Sequence, residues 1–91
     1  MNYQTIKSHL EHAHAILVET GEHLDLHELN AFPAAITRKD WRMATAILEE
    51  CGAATAVNPS FWRELLGAVQ ALELPRHVAR IEAHLRLAGE E

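Results

Sequence analysis

Apolar residues recur every three to four positions along this chain, most regularly in its middle. The first apolar stripe there is formed by Trp41, Ala44, Ile47, Leu48 and Cys51, and the second by Phe61, Trp62, Leu65, Leu66, Val69 and Leu72. Gly52 is a predicted helix end between them, and Asn58-Pro59 is a typical helix start because Pro needs no hydrogen bond at the first position. The pattern predicts two amphipathic helices, roughly residues 40–51 and 59–73, packed as a hairpin.

The same spacing predicts a helix at the front of the chain, over residues 2–20. Its inward face consists of Ile6, Leu10, Ala13 and Leu17, with Ile16 beside it. Asn2 is the predicted N-cap, because its side chain can accept a hydrogen bond from a backbone N–H of the first turn. Gly21 is the predicted end, since glycine adopts the left-handed conformation without a Cβ clash.

Two more helices are predicted on either side of the hairpin. The earlier one starts at Asp25, a predicted N-cap, and is kinked or split at Pro33, which lacks a backbone donor. The later one follows Pro75. The inward residues of the earlier helix are Leu26, Leu29, Phe32 and Ile36. The inward residues of the later helix are Val78, Ile81, Leu85 and Ala88, and its predicted end is Gly89. Thr37 and Asp40 offer N-cap chemistry to the first hairpin helix.

Trp41, Trp62 and Phe32 are the predicted aromatic core anchors, whereas Phe61 and Tyr3 are expected nearer the margins.

The length of the chain predicts one domain. Its 91 residues hold a single core, so the domain is expected to span residues 1–91. Apolar residues make up 48% of the chain, but only two Trp, two Phe and one Tyr are aromatic, which favours helices over strands. We therefore expect an all-α fold, a compact antiparallel bundle of four to five short helices.

Cys51 is the only cysteine, so no disulfide can form within the chain. Its position on an apolar stripe predicts a buried thiol. The chain contains neither a signal-peptide pattern nor an apolar run of about 18 residues, so a membrane is not an expected partner. These features predict a cytoplasmic protein.

Negative charge is concentrated at the front of the chain, whose overall net charge is −5. Residues 1–30 carry Lys7 against five acids, a local charge of 1 − 5 = −4. The five acids are Glu11, Glu19, Glu22, Asp25 and Glu28. Such a segment repels phosphate backbones and attracts cations, so the expected partner is a cationic protein surface and not a nucleic acid.

The sequence favours a binding protein over an enzyme. Its serines and threonines lie in no nucleophile motif, and no glycine cluster could hold a phosphate group. The carboxylates lie at spacings typical of solvated helix faces. No catalytic residue and no cofactor are predicted.

Seven histidines invite a metal hypothesis, because five of them fall in the front segment, namely His9, His12, His14, His23 and His27. His9 and His12 are neighbours on one helix face, whereas His14 projects to the other side. His23 and His27 are four residues apart but lack the adjacent glutamate of the metalloprotease motif. We favour solvated helix edges and predict no metal site, although metal sensing through His9, His12, His23 and His27 stays an alternative.

The last helix carries a basic edge formed by Arg76, His77, Arg80 and His84. Three interpretations are open at this point. The edge is solvated, or it pairs with an acidic helix of the same chain, or it meets the acidic front of a second copy in a possible homodimer.

The run from Thr37 to Gly52, followed by the Phe-Trp helix, resembles a class of small helical bacterial proteins. The resemblance covers residues 37–85. Its matching residues are Asp40, Trp41, Ala44, Leu48, Glu49, Glu50, Gly52, Phe61 and Trp62. These proteins look like the immunity proteins encoded beside secreted or contact-delivered toxins, each of which binds and blocks its own toxin.

The resemblance implies a helical inhibitor that neutralises a basic toxin by occlusion, and the acidic surface fits such a role. The predicted partner-binding residues are Glu11, Glu19, Glu22, Asp25, Glu28, Glu49 and Glu50. The alternative from another class is a homo-oligomeric helical adaptor or regulatory protein.

Overall fold

Helices account for most of the computed structural model, which describes residues 3–88. Within that range there are six helices and no strand. The helices are α1 (Tyr3–Thr20), α2 (Leu26–Leu29), α3 (Ala31–Thr37), α4 (Trp41–Ala53), α5 (Pro59–Ala71) and α6 (Pro75–Leu87). The radius of gyration is 11.9 Å, close to the value of about 12 Å for a compact domain of this length. The predicted all-α helical bundle is confirmed.

One hydrophobic core joins the helices. The predicted inward faces of α1 and α4 are buried, including Ile6, Leu10, Leu17 and Leu48, which are fully inaccessible to solvent. The core residue Thr45 is also buried, and its hydroxyl donates to the Trp41 carbonyl at 2.8 Å. This bond satisfies the hydroxyl inside an apolar environment.

The helices of the predicted hairpin do touch, but α5 makes far more extensive contacts with α1 than with α4. α5 also packs against α6, and α3 packs against α4. The bundle is therefore built around the α1–α5 pair, with α4 linking it to α2 and α3.

Three predicted helix starts are confirmed. The carboxylates of Asp25 and Asp40 accept hydrogen bonds from the backbone N–H groups of Glu28 and Met43, each at 3.2 Å. The Asn58 side chain accepts from the Ser60 N–H at 2.9 Å. Each bond satisfies a donor that the helix itself leaves unpaired. The predicted cap at Asn2 and the predicted end at Gly89 lie outside the described residues.

Of the two predicted glycine helix ends, Gly21 is confirmed in position but not in backbone conformation, and Gly52 is wrong. Gly21 follows α1 without a left-handed backbone, and Gly52 lies inside α4. The residues that do adopt positive φ after helices are Lys39 (φ 59°) and Glu73 (φ 58°). In both cases the next N–H reaches back five residues, from Asp40 to Ala35 at 2.9 Å in the first case. This is a Schellman motif with a non-glycine residue in the left-handed position.

Gly52 is required by packing and not by a turn. A Cβ atom at Gly52 would collide with the ring of Phe61, lying 2.8 Å from its Cζ atom. The prediction that Phe61 lies near the margin is also wrong, because its ring is fully buried against α4 and stands edge-on to Trp62 at 4.8 Å between ring centroids. The predicted anchors Phe32, Trp41 and Trp62 are buried, and Tyr3 is 55% exposed.

The helix predicted to break at Pro33 breaks earlier, at Asn30, which separates α2 from α3. Pro33 then falls in the first turn of α3, where its missing N–H has no helical acceptor to lose. The break is therefore placed so that proline is tolerated.

Candidate binding surface

The loop between α1 and α2 meets the loop between α4 and α5 at one end of the molecule. The Thr55 hydroxyl accepts a hydrogen bond from the Glu22 N–H at 2.8 Å and donates one to the Glu22 carbonyl. The Thr20 hydroxyl, at the end of α1, accepts from the Asn58 N–H at 3.2 Å. Sequence inspection missed Thr55, because no local pattern shows that the two loops meet. These bonds fix the Glu22 backbone beside the end of α4.

Four predicted binding residues belong to this end of the bundle, and we name Glu22, Asp25, Glu28 and Glu50 the acidic end. Helix α2 packs on α4, which places the side chain of Glu28 beside that of Glu50. The neighbouring carboxyl group of Glu50, together with the negative charge of Asp25, raises the pKa of Glu28 above its ordinary value. The carboxylates of Glu28, Glu50 and Asp25 are therefore close enough to disfavour the charged form of Glu28.

Cys51 lies beneath the same carboxylates. Its side chain is buried, as predicted, and burial together with the charges of Glu28, Asp25 and Glu50 raises the thiol pKa to about 11. Because the thiolate and not the thiol is the nucleophile, Cys51 is an inert core residue. The contribution of these three carboxylates to the raised thiol pKa shows that they lie close to Cys51.

An apolar side chain stands beside the crowded carboxylates. Leu26, the first residue of α2, is 64% exposed and follows Asp25 directly. The sequence pattern placed Leu26 on an inward face, and this prediction is wrong because the single turn of α2 buries Leu29 and leaves Leu26 exposed to solvent. Protein interfaces commonly combine apolar contact area with a polar rim, and this end of the bundle offers both kinds of surface.

Glu11 and Glu19 do not belong to the acidic end in the same way. Glu19 is exposed in the last turn of α1, near that end of the bundle. Glu11 is exposed about 12 Å further back along the helix axis. There it lines a groove of about 470 Å³ between α1 and α3, with His14, Phe32, Pro33, Ile36 and Thr37.

Glu49 is held by side chains of α6 and is largely covered by them, so its role in partner binding stays a prediction. It accepts hydrogen bonds from Arg80 Nε at 2.7 Å and Nη2 at 3.3 Å, and lies 2.8 Å from His77 Nδ1. Only 14% of its side chain is exposed. Burial by itself would raise its pKa, but the hydrogen bonds and charges of Arg80 and His77 outweigh burial and lower the pKa.

The basic edge of α6 therefore pairs within the chain over part of its length, which is one of the three interpretations left open. His84 is also engaged, because its ring stacks flat on Trp62 at 4.0 Å between centroids. Arg76 remains exposed. The pairing of Arg80 with Glu49 takes up part of the positive charge that a homodimer between this edge and the acidic front of a second copy would use.

Three of the five front histidines contact neighbouring side chains. His9 Nδ1 lies 3.1 Å and His12 Nδ1 lies 3.5 Å from the carboxylate of Glu64 on α5. His14 stacks on Phe32 at 4.6 Å, and burial there lowers its pKa although the charge of Glu11 opposes the shift. His23 and His27 are exposed. Among residues 3–88, no three His, Cys, Asp or Glu side chains are arranged to hold a metal ion.

No family model, no characterised protein and no solved structure gives a match to this chain. The resemblance to immunity proteins therefore stays a prediction. In the part of the chain that the structure describes, no helix has the length and apolar character needed to span a membrane.

Proposed function

We propose that this chain is a non-catalytic binding protein that neutralises a basic protein partner by covering its surface. The observation that carries the proposal is the packing of α2 on α4, which brings the carboxylates of Asp25, Glu28 and Glu50 together at one end of the bundle. A cationic side chain placed among these groups relieves their mutual repulsion, so a basic surface is the partner that they favour.

The acidic end is held rigidly enough for such a role. Asp25 caps α2, Glu22 is tied to Thr55, and Glu50 lies on the thirteen-residue helix α4. Groups fixed by secondary structure lose little conformational entropy on binding. Their clustered charge also steers a basic partner toward this end and raises the association rate.

The resemblance over residues 37–85 gives the partner its proposed class, a toxin domain that acts in the cytoplasm and is encoded beside this chain. A toxin that attacks nucleic acids needs a basic active surface, because it must attract phosphate groups. An acidic inhibitor without chemistry of its own occludes that surface in a stoichiometric complex.

Growth rescue is the first test of the proposal. The C-terminal domain encoded by the gene immediately upstream is expressed in bacteria with and without this chain. We expect the domain to stop growth and this chain to restore it, with a stable complex recovered from the same cells. Continued growth arrest in the presence of a folded, expressed chain contradicts the proposal.

The site is tested by the double variant Glu22→Lys with Glu50→Lys, since both side chains are exposed. We expect the association rate with that domain to fall by about tenfold or more, because steering by clustered charge contributes at least that factor. The rate should also become less sensitive to salt between about 50 mM and about 300 mM, where screening of exposed charges changes strongly.

The matched control is Glu73→Lys with Glu82→Lys, which makes the same change in net charge with exposed residues at the junction of α5 and α6. Its association rate should stay within about threefold of the unmodified chain, because only overall attraction is reduced. Equal losses in both variants would show that net charge, and not the acidic end, governs binding.

A further inference from the structure

A second charged feature lies between the starts of α4 and α6, about 12 Å along α4 from Glu50. It is a cavity of about 460 Å³. Its lining consists of Arg42, Leu74, Pro75, Arg76, His77 and Arg80. Three arginines thus line one concave site in a chain of net charge −5.

The arginines differ in how much of their charge is already used. Arg80 donates hydrogen bonds from Nε and Nη2 to the carboxylate of Glu49, so the guanidinium group of Arg80 is fixed at the cavity edge. Arg42 and Arg76 are exposed and have no carboxylate partner among residues 3–88. Three arginines and one glutamate leave a charge of 3 − 1 = +2 at the cavity, without counting His77.

The start of α6 adds to this positive character. Its N-cap residue is Leu74, which has no side-chain acceptor, and its first turn opens into the same cavity. The helix dipole therefore acts in the same direction as the arginines. An anion in the cavity would be attracted both by the exposed guanidinium groups of Arg42 and Arg76 and by the end of the helix.

We propose that this cavity binds a small, multiply charged oxyanion, either a phosphate group or a compact polycarboxylate. The planar guanidinium group donates two parallel hydrogen bonds to such oxygens, and several arginines around one concave site suit a ligand with more than one acceptor pair. The volume falls in the range of small-molecule sites. The site is independent of the proposed function, which uses the opposite end of α4.

The test is an NMR titration of the full chain with sodium phosphate, and separately with sodium citrate, against sodium chloride at matched ionic strength. We expect saturable shifts of the Arg76 and His77 amides with phosphate or citrate, and no saturation with chloride. Saturation by phosphate alone identifies a phosphate site, and saturation by citrate alone identifies a carboxylate site. Shifts that follow ionic strength equally for all three salts overturn the proposal.

The variant Arg42→Gln with Arg76→Gln should weaken that binding at least about tenfold, because it removes two charged donors from the cavity. The control is Arg38→Gln with Arg86→Gln, which removes the same net charge from exposed positions outside the cavity. The control should keep its affinity within about twofold, as expected when only long-range attraction changes. An equal loss in both variants overturns the proposal, since the anion would then respond to net charge alone.

Discussion

A single carboxylate, Glu49, shows how this fold uses its charges internally. Arg80 and His77 hold it between α4 and α6, and together they lower its pKa although burial opposes them. A carboxyl group whose pKa is lower in the folded than in the unfolded chain stabilises the fold above the unfolded pKa. That stabilisation is lost as the pH falls through the folded pKa.

We predict that Glu49→Gln lowers the free energy of unfolding by about 1–3 kcal/mol at neutral pH, because charge-assisted hydrogen bonds to two partners are weakened. The difference from the unmodified chain should shrink as the pH falls from the ordinary pKa of a glutamate through the lowered pKa of Glu49 in the folded chain. Urea unfolding at several pH values measures both effects. Glu82→Gln, at an exposed position on α6, is the control and should change stability by less than about 0.5 kcal/mol.

At the scale of helices, two glycines differ in what a Cβ atom added to them would contact. Gly52 in α4 faces the fully buried ring of Phe61, whereas Gly67 in α5 faces the ring of His9, with 2.8 Å from a Cβ atom to His9 Cε1. The His9 side chain is 33% exposed and can turn toward solvent. Alanine at an unconstrained helical position normally adds about 0.5–1 kcal/mol over glycine.

We predict that Gly52→Ala destabilises the fold by about 1–3 kcal/mol, because the added methyl group overpacks the core against Phe61. Gly67→Ala should change the free energy of unfolding by less than about 1 kcal/mol, since the gain in helix propensity offsets the displacement of His9. Urea unfolding of the two variants compares them directly. A stabilised Gly52→Ala variant would mean that Phe61 does not pack on this glycine.

At the scale of the whole molecule, charge is segregated along α4. The acidic end lies at its C-terminal end and the arginine-lined cavity near its N-terminal end. Among residues 3–88, in contrast, the exposed large apolar side chains come from four helices and are Tyr3, Val18, Leu26, Met43 and Leu87. No helix collects them into one continuous stripe of the kind that a helical dimer buries.

We predict a monomer of 10.2 kDa in sedimentation velocity at micromolar concentration, because copies of like net charge repel and the apolar residues are dispersed. The alternative function, a homo-oligomeric adaptor, predicts a larger species under the same conditions. A dimer that dissociates as salt is added would favour contacts between the acidic end of one copy and Arg42 or Arg76 of another.

The sequence by itself determined the helices, most of their starts and most of their inward faces. These features depend on local physics: apolar spacing every three to four residues, and capping side chains such as Asp25, Asp40 and Asn58 that bond within three positions. The concentration of acids at the front was likewise visible in the sequence. Four of the predicted binding residues do gather at one end, because they flank the α1–α2 loop and the end of α4.

Only the tertiary structure decided which helix faces meet. In the folded chain α5 packs more extensively on α1 than on α4. Glu49 contacts Arg80, and Glu64 contacts both His9 and His12. It also showed Gly52 as a packing residue. Each of these outcomes depends on contacts between residues far apart in the chain, and local spacing does not specify which distant surface a side chain will contact.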